Sequence, residues 1–326
     1  MSAEVKFRLR GCKPRNEPER RRTKVPMHKP QLSIIIISYN TQQITLNCIN
    51  SIVNSVKNIT CEIIVVDNAS EDKTIEQIRN SKFEILNKNI NLKIIQNKTN
   101  LGYSKANNIG IKEAITENIL LLNSDTVVID DAIEKLLKRF EDSKDKIQFI
   151  GGKLLNQDNS PQASCGPFYS LPMIFAHLFL RGDYWGLTRS SPNQEKNVDW
   201  ISGACILTKK SYLEKLNGFD ENIFMYMDEI DLLYRANKLG YKTLFYPNTR
   251  FIHLGSGSSK GKTFPIIQVF KGLKYFYKKH HSPISCKILM IMLKLKALIG
   301  IILGKLFNNH YLIETYEKAY QVAKMD

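Results

Sequence analysis

Leu32–Ser38 reads L-S-I-I-I-I-S and Glu62–Val66 reads E-I-I-V-V. Both are short β-branched runs with polar residues at their ends, the pattern of strands buried on both faces. Leu92–Gln96 and Ile119–Leu122 repeat it. Between them, Thr41–Val56 carries apolar residues at helical spacing (Ile44, Cys48, Ile52, Val56), and Thr74–Asn80, Tyr103–Ile115 and Asp131–Phe140 also read as helices. Buried strands alternating with helices predict βαβ units and a parallel sheet, an α/β fold of Rossmann type. Right-handed crossovers then bring the C-terminal ends of the strands to one edge, where open α/β sheets bind ligands. Tyr39-Asn40, Asp67-Asn68 and Asn123-Ser124-Asp125 follow three of these strands and are expected to converge there.

From about Phe149 the pattern changes. Gly151–Ser170 reads as loop, and Leu171–Arg189 holds many aromatics, as a mobile segment or part of an acceptor cleft would. Asp199–Thr208 is strand-like. Glu229–Leu239 reads as a helix with Gly240 as its C-cap, and Leu244–Tyr246 and Arg250–His253 as short strands.

The chain has 326 residues and a net charge of +16, and the charge is uneven. Residues 1–30 carry ten Lys/Arg and three Asp/Glu; residues 260–326 carry twelve and three; residues 31–259 carry 25 of each. The body is neutral, so a nucleic-acid-binding surface on the folded part is not expected. Basic ends suit attachment to an anionic surface. Three regions follow: a basic, mobile tail over 1–30, a catalytic domain over 31–260 (halves 31–150 and 151–260), and a basic amphipathic helical region over 261–326. In Ile284–Phe307 the lysines Lys287, Lys294 and Lys305 share one line of a helical wheel and Lys296 lies opposite. Such a helix either lies in a membrane interface or packs on the core. No secretory signal and no membrane-spanning run is visible. The expected location is cytoplasmic, peripheral at the inner face of the membrane. The six scattered cysteines show no C-x-x-C pair, which suggests reduced thiols.

Several residues are candidates for chemistry. Asp67 can accept hydrogen bonds from a base or ribose, or cap a turn. In N-L-G-Y-S-K-A-N-N-I-G (Asn100–Gly110), Gly102 permits a tight helix start whose N–H groups could face a phosphate, or is a plain glycine turn. Asp125 suits a hard divalent cation, Mg2+ or Mn2+, or forms an Asx turn. His253 is a second possible ligand. Asp228 and Glu229 precede a helix, where acids are favoured in any case; one of them is also placed to serve as a general base.

Six stretches in order complete the reading: S-I-I-I-I-S-Y-N, E-I-I-V-V-D-N-A-S, N-L-G-Y-S-K-A-N-N-I-G, L-L-L-N-S-D-T, W-I-S-G-A-C-I-L and M-Y-M-D-E-I-D-L-L-Y-R. The chain resembles family 2 glycosyltransferases of the GT-A fold, in particular the rhamnosyltransferase-like group, over about residues 31–280. The resemblance implies an inverting transferase that moves a sugar from a nucleotide-diphospho-sugar, dTDP-rhamnose or a UDP-sugar, to a hydroxyl of a glycan or lipid-linked glycan. It implies that Asp67 holds the base with Tyr39 and Asn40 nearby. Asn100 and Gly102 would lie along the donor. Asn123-x-Asp125 would be the metal motif with Asp125 as ligand and His253 as a further one. Trp200, Ser202, Gly203 and Ala204 would line the donor-sugar and acceptor site. The family's base is the second acid of a pair, which favours Glu229, with Asp228 as the alternative because the acid types are reversed here. Arg235 would reach a diphosphate or pair with Asp231. A nucleotidyltransferase, or a nucleotide-sugar-binding relative without activity, is the alternative reading of the same scaffold.

Overall fold

A computed structural model describes residues 29–81, 83–255 and 263–324. The first half follows the expected order: β1 (Leu32–Ser38), α1 (Gln42–Ser55), β2 (Cys61–Asp67), α2 (Thr74–Asn80), α3 (Phe83–Leu86), β3 (Ile90–Gln96), α4 (Tyr103–Glu113), β4 (Asn118–Leu122), β5 (Thr126–Val128) and α5 (Ala132–Asp142). Then come β6 (Phe149–Leu155), β7 (Cys165–Gly166), α6 (Leu171–Phe179), β8 (Lys196–Val198), β9 (Trp200–Ile201), β10 (Cys205–Lys209), α7 (Lys210–Lys215), α8 (Asp228–Lys238) and β11 (Thr243–His253). Helices α9 (Thr263–His280), α10 (Pro283–Leu306) and α11 (His310–Lys324) complete the described chain.

Nine strands form one sheet in the order β3-β2-β1-β4-β10-β6-β11-β5, with β8 on β11. Strands β1 to β4 and the β6–β11 pair run parallel; β10, β5 and β8 run against their neighbours. The α/β expectation therefore holds, with a mixed second half. Alternation divides the strand residues between two cores. Ile34, Ile36, Ile63 and Val65 face α1 and α5, while Ile35, Ile64 and Val66 face α4 and the C-terminal helices.

Two differences from the sequence reading have simple causes. Of Gly151–Ser170, expected as loop, the first residues, 151–155, belong to a fully buried strand, Phe149–Leu155. A Cβ on Gly151 would lie 2.8 Å from Ile201, and one on Gly152 2.5 Å from Phe251, so these glycines make room for neighbours rather than for a turn. The two short strands expected around Pro247 are one strand, with a register shift between Tyr246 and Arg250. A proline, lacking an N–H, is tolerated at such a break. The described cysteines are unpaired. The tail expected over residues 1–30 lies almost wholly outside the described residues. Among these, no helix is long and apolar enough to cross a membrane.

One polar knot fastens α9 to α8. Asp231, fully buried in α8, accepts from Arg235 Nε at 2.7 Å, Lys279 Nζ at 2.8 Å and His280 Nε2 at 2.7 Å. Burial alone would raise its pKa, but the hydrogen bonds it accepts and the charges of Lys279 and Arg235 hold it below the usual carboxylate value. Lys279 also reaches Asp220 at 2.6 Å. Removing one member of a buried ion network leaves the others uncompensated. Asp231→Ala should therefore destabilise the fold by about 3–5 kcal/mol, measured by denaturant unfolding. Because the Asp231 pKa is lowered on folding, its contribution is present above the unfolded pKa and is lost as pH falls through the folded one.

Candidate active site

A cleft of about 340 Å3 opens at the C-terminal ends of the parallel strands, within the size range of small-molecule sites. Tyr39 and Asn68 follow β1 and β2 on one side. Asn123, Ser124 and Asp125 line its floor in the turn between β4 and β5. Trp200, Ser202, Gly203 and the first turn of α8 close the other side. The convergence expected from strand topology is present.

Sheet register brings Asp125 and His253 together. β5 turns back after β4 and pairs antiparallel with β11, so His253 faces Thr126, and Leu254 N–H donates to the Asp125 carbonyl at 3.0 Å. His253 Nε2 then lies 3.2 Å from Asp125 Oδ1. Gln162 Nε2 donates to Asn156 Oδ1 and to the His253 carbonyl, which leaves Gln162 Oε1 to accept from His253 Nδ1 at 2.7 Å. A neutral His253 with its proton on Nδ1 presents a lone pair at Nε2 to a carboxylate oxygen. Two acceptors at that distance call for a proton or a cation between them; the carboxylate suits Mg2+ or Mn2+, and the imidazole shifts the preference toward a transition metal such as Mn2+. Gln162 is the kind of outer partner that fixes a ligating histidine. Among the described residues, no third His, Cys, Asp or Glu completes a metal cluster, so a cation here would need oxygens from a ligand or water. Asn123 is otherwise engaged: its Oδ1 accepts from the Tyr103 hydroxyl at 2.8 Å.

The acidic pair sits where the chain reverses into α8. Tyr226 and Met227 both adopt left-handed backbone, with φ of 63° and 68°, a costly conformation for residues with a Cβ. Surrounding contacts impose it. Phe224 carbonyl accepts from Tyr103 N–H at 2.7 Å, and Gly272 of α9 packs so closely that a Cβ there would lie 2.8 Å from Met227. Asp228 is buried, and burial together with the Glu229 charge raises its pKa well above the ordinary value. Glu229 is half-buried in the cleft wall. Its pKa is also raised, chiefly by burial, against the opposing pull of Arg189 and of backbone N–H groups that include Gly203. A carboxylate raised in this way suits proton abstraction near neutrality.

Four expected residues stand outside the cleft lining, among them Ala204, which is buried in the hydrophobic core. Arg235 donates to Asp231, to the Leu216 carbonyl at 2.5 Å and to the Gly218 carbonyl at 2.8 Å. The ion-pair alternative thus describes it, not the diphosphate one. Asn40 clamps the loop after β2, accepting from Glu71 N–H at 2.8 Å and donating to Ser70 Oγ at 2.9 Å. Asp67 lies behind the cleft, where Oδ2 accepts from Ser70 N–H and Oδ1 is buried with no partner. Asn100 and Gly102 line the cleft, but the N–H groups at this helix start are taken. Leu101 donates to Asn68, Gly102 to Asn100 and Tyr103 to Phe224, so they are not free for a phosphate.

Arg189 and Tyr103 also line the cleft, though no motif in the sequence singles them out. Arg189 lies with its guanidinium 5.5 Å from the Trp200 ring centroid, and its Nε is buried without a partner. Trp200 is itself fixed by donation to the Pro167 carbonyl at 2.8 Å and by stacking on Tyr169. Arg189 is the cation of the cleft wall, facing Glu229. Its only sequence signal was membership of the aromatic segment Leu171–Arg189. Tyr103 Oη, within reach of both Asn123 Oδ1 and the Gly203 carbonyl, ties the floor of the cleft to the wall that carries Glu229.

Residues 33–215 match the sequence profile of Glycosyl transferase family 2. The chain belongs to this family. As a family 2 glycosyltransferase it is similar to a low-salt glycan biosynthesis hexosyltransferase of Haloferax volcanii, 27% identical over 64% of this chain and 62% of the relative. It is also similar to an N-acetylglucosaminyl-diphospho-decaprenol L-rhamnosyltransferase of Mycobacterium tuberculosis, 25% identical over 59% of this chain and 66% of the relative. The matches thus span less than two thirds of these relatives. Among solved structures, a Pyrobaculum calidifontis mannosyltransferase in complex with GDP-Man and Mn2+ aligns with a TM-score of 0.54 and 16% identity, over 92% of this chain and 76% of that one. That likeness fixes the GT-A fold.

Asp228 gives this glycosyltransferase a testable liability. Its pKa is raised on folding, so the folded chain holds its proton more tightly than the unfolded chain. Stability therefore falls as pH rises from the unfolded pKa through the folded one. Asp228→Asn removes that loss. It should raise the melting temperature at neutral pH, by a margin that shrinks as the pH is lowered toward 4, followed by thermal unfolding across pH.

Proposed function

We propose that this family 2 glycosyltransferase transfers a sugar with inversion from a nucleotide-diphospho-sugar to an acceptor hydroxyl, with Glu229 as general base. One observation carries the reading. A half-buried carboxylate of raised pKa lies in the cleft wall and is linked through Gly203, Tyr103 and Asn123 to the floor that holds Asp125 and His253. The acceptor oxygen attacks the anomeric carbon from the face opposite the diphosphate. The new C–O bond forms as the bond to the phosphate oxygen breaks, Glu229 takes the hydroxyl proton, and the nucleoside diphosphate leaves with the electron pair. Glu229 is preferred to Asp228 because, although both line the cleft, Asp228 is almost fully buried and Glu229 only half-buried.

Asp125 and His253 would hold a divalent cation, Mg2+ or Mn2+. When bound, it would offset charge on the leaving diphosphate. Arg189 supplies a fixed positive charge on the Trp200 side of the cleft. The unpartnered Asp67 Oδ1 is an acceptor that a base N–H or ribose hydroxyl would satisfy once the loop after β2 moves. The donor is dTDP-rhamnose or a UDP-sugar, supported by relatives named as rhamnosyltransferases, those of Mycobacterium tuberculosis and Escherichia coli among them. A lipid-linked glycan is the acceptor, supported by the decaprenol-linked substrate in one relative's name and by the basic C-terminal region.

The test is turnover of the full chain with Mn2+ and dTDP- or UDP-sugars on a lipid-diphosphate-linked sugar, read as nucleoside diphosphate release. Glu229→Gln should lower kcat by about 100-fold or more. The acidic limb of kcat/KM should lie above the ordinary glutamate range in the parent and vanish with that substitution. Pyrophosphate release would instead mean nucleotidyl transfer, and absence of metal-dependent nucleotide binding would sink the donor assignment. Arg189→Ala should reduce kcat/KM by about 10-fold or more, with the melting temperature lowered only by the loss of its contact with the Trp200 ring.

A further inference from the structure

Helix α10 has two unlike faces. Leu289, Leu293 and Ala297 are buried in the core shared with α4 and α8. Along the other side Ile284, Ile288, Ile291, Leu295, Ile302 and Leu306 recur at helical spacing and are exposed, Ile284 at 71%, Ile291 at 65% and Leu306 at 73%. A stripe of this length, 24 residues from Pro283 to Leu306, is unusual on a free protein surface and marks an interaction site.

Three features indicate what covers it. Lys287, Lys294 and Lys305 fall on one line along the edge of the stripe, about 70–90° from its centre at the helical repeat, and Lys287 and Lys305 are exposed. Lys296, on the other side, is turned inward: its Nζ donates to the Leu178 carbonyl of α6 at 2.7 Å, and burial lowers its pKa. Second, residues 232–313 contain fourteen Lys/Arg and not one Asp or Glu. A self-complementary dimer face or an ordinary solvated helix would be expected to carry both signs; an anionic surface asks for one. Third, the same region borders the cleft. α6 packs on α10 through Lys296, supplies Ile174 and His177 to the cleft, and leads into a loop that exposes Leu180, Tyr184 and Trp185, the last two at 77% and 68%. Exposed aromatic residues near an apolar helix are typical of membrane-interface contacts.

We infer that the outer face of α10 is a docking surface for an anionic lipid bilayer, with the helix lying in the plane of the interface. Its isoleucines and leucines enter the acyl boundary, while Lys287, Lys294 and Lys305 extend their stems to the phosphate headgroups. The helix does not span the bilayer, since its other face is occupied by the protein core. Docked this way, the α6 wall of the cleft lies close to the membrane, where a lipid-linked acceptor would be presented. The surface itself does not depend on the acceptor assignment.

Co-sedimentation of the full chain with vesicles tests it, comparing phosphatidylcholine alone with phosphatidylcholine containing phosphatidylglycerol. Binding should favour the anionic vesicles and weaken with salt. Ile291→Glu with Ile302→Glu should weaken it about tenfold or more, as should Lys287→Glu with Lys305→Glu. Lys57→Glu with Lys138→Glu, the same charge change on exposed residues away from the C-terminal helices, should leave it within about twofold, which separates the α10 face from net charge. All these positions are exposed, and unchanged melting temperatures would show that the fold is kept. No binding of the parent chain to anionic vesicles would overturn the assignment. So would α10 variants that bind like the parent while deletion of residues 1–28 abolishes binding. A concentration-dependent dimer that Ile291→Glu dissociates would show that a second copy is the occupant. Vesicle binding without nucleoside diphosphate release would leave this surface standing and reject only the proposed reaction.

Discussion

A carboxylate without access to water organises the catalytic side of this molecule. Asp231 receives Arg235 from its own helix and Lys279 and His280 from α9. An ionised buried acid is tolerable only when its neighbours are cationic and well placed, so the position of α9 relative to α8 is closely set. That placement matters one turn earlier, at the start of α8. There Gly272 of α9 presses on Met227 and helps hold two residues in left-handed backbone. The bend brings both acids to the cleft wall, Glu229 half-buried and Asp228 almost fully buried.

The two adjacent acids therefore differ because of where the chain puts them. Asp228 loses water and sits beside another negative charge, so ionisation is disfavoured on both counts. Glu229 is less enclosed, takes backbone N–H groups and faces Arg189. A proton acceptor that must also face a substrate fits the second environment. Across the cleft, the β5–β11 register sets the other chemical pair, since a shift of one residue would turn His253 away from Asp125. One helix–helix packing and one strand register thus fix the two halves of the site, and Tyr103 ties them together.

The C-terminal helices serve the same arrangement. They are part of the core that buries α4 and α8, and Ser282, accepting from Ser285 N–H ahead of Pro283, starts α10 with an N-cap. The face of α10 turned away from that core is left exposed, with large apolar residues along it.

By itself the sequence determined the parallel strands, the convergence of their polar ends and the acidic pair before a helix. All of these are written in local periodicity and in the turn residues that follow each run. It also determined the lysine line on α10, because a helix repeats at a fixed angle. Only the tertiary structure decided the rest. Gly151 and Gly152 read as loop because a glycine that admits a neighbouring side chain is indistinguishable, in one dimension, from a glycine that turns the chain. Arg235 and Asn40 looked available for a ligand until packing supplied their partners. Arg189 carried no local signal, since what singles it out is a buried Nε that nothing satisfies. Whether a polar group is spent on the fold or left for chemistry depends on contacts between residues far apart in the chain, and those exist only once it has folded.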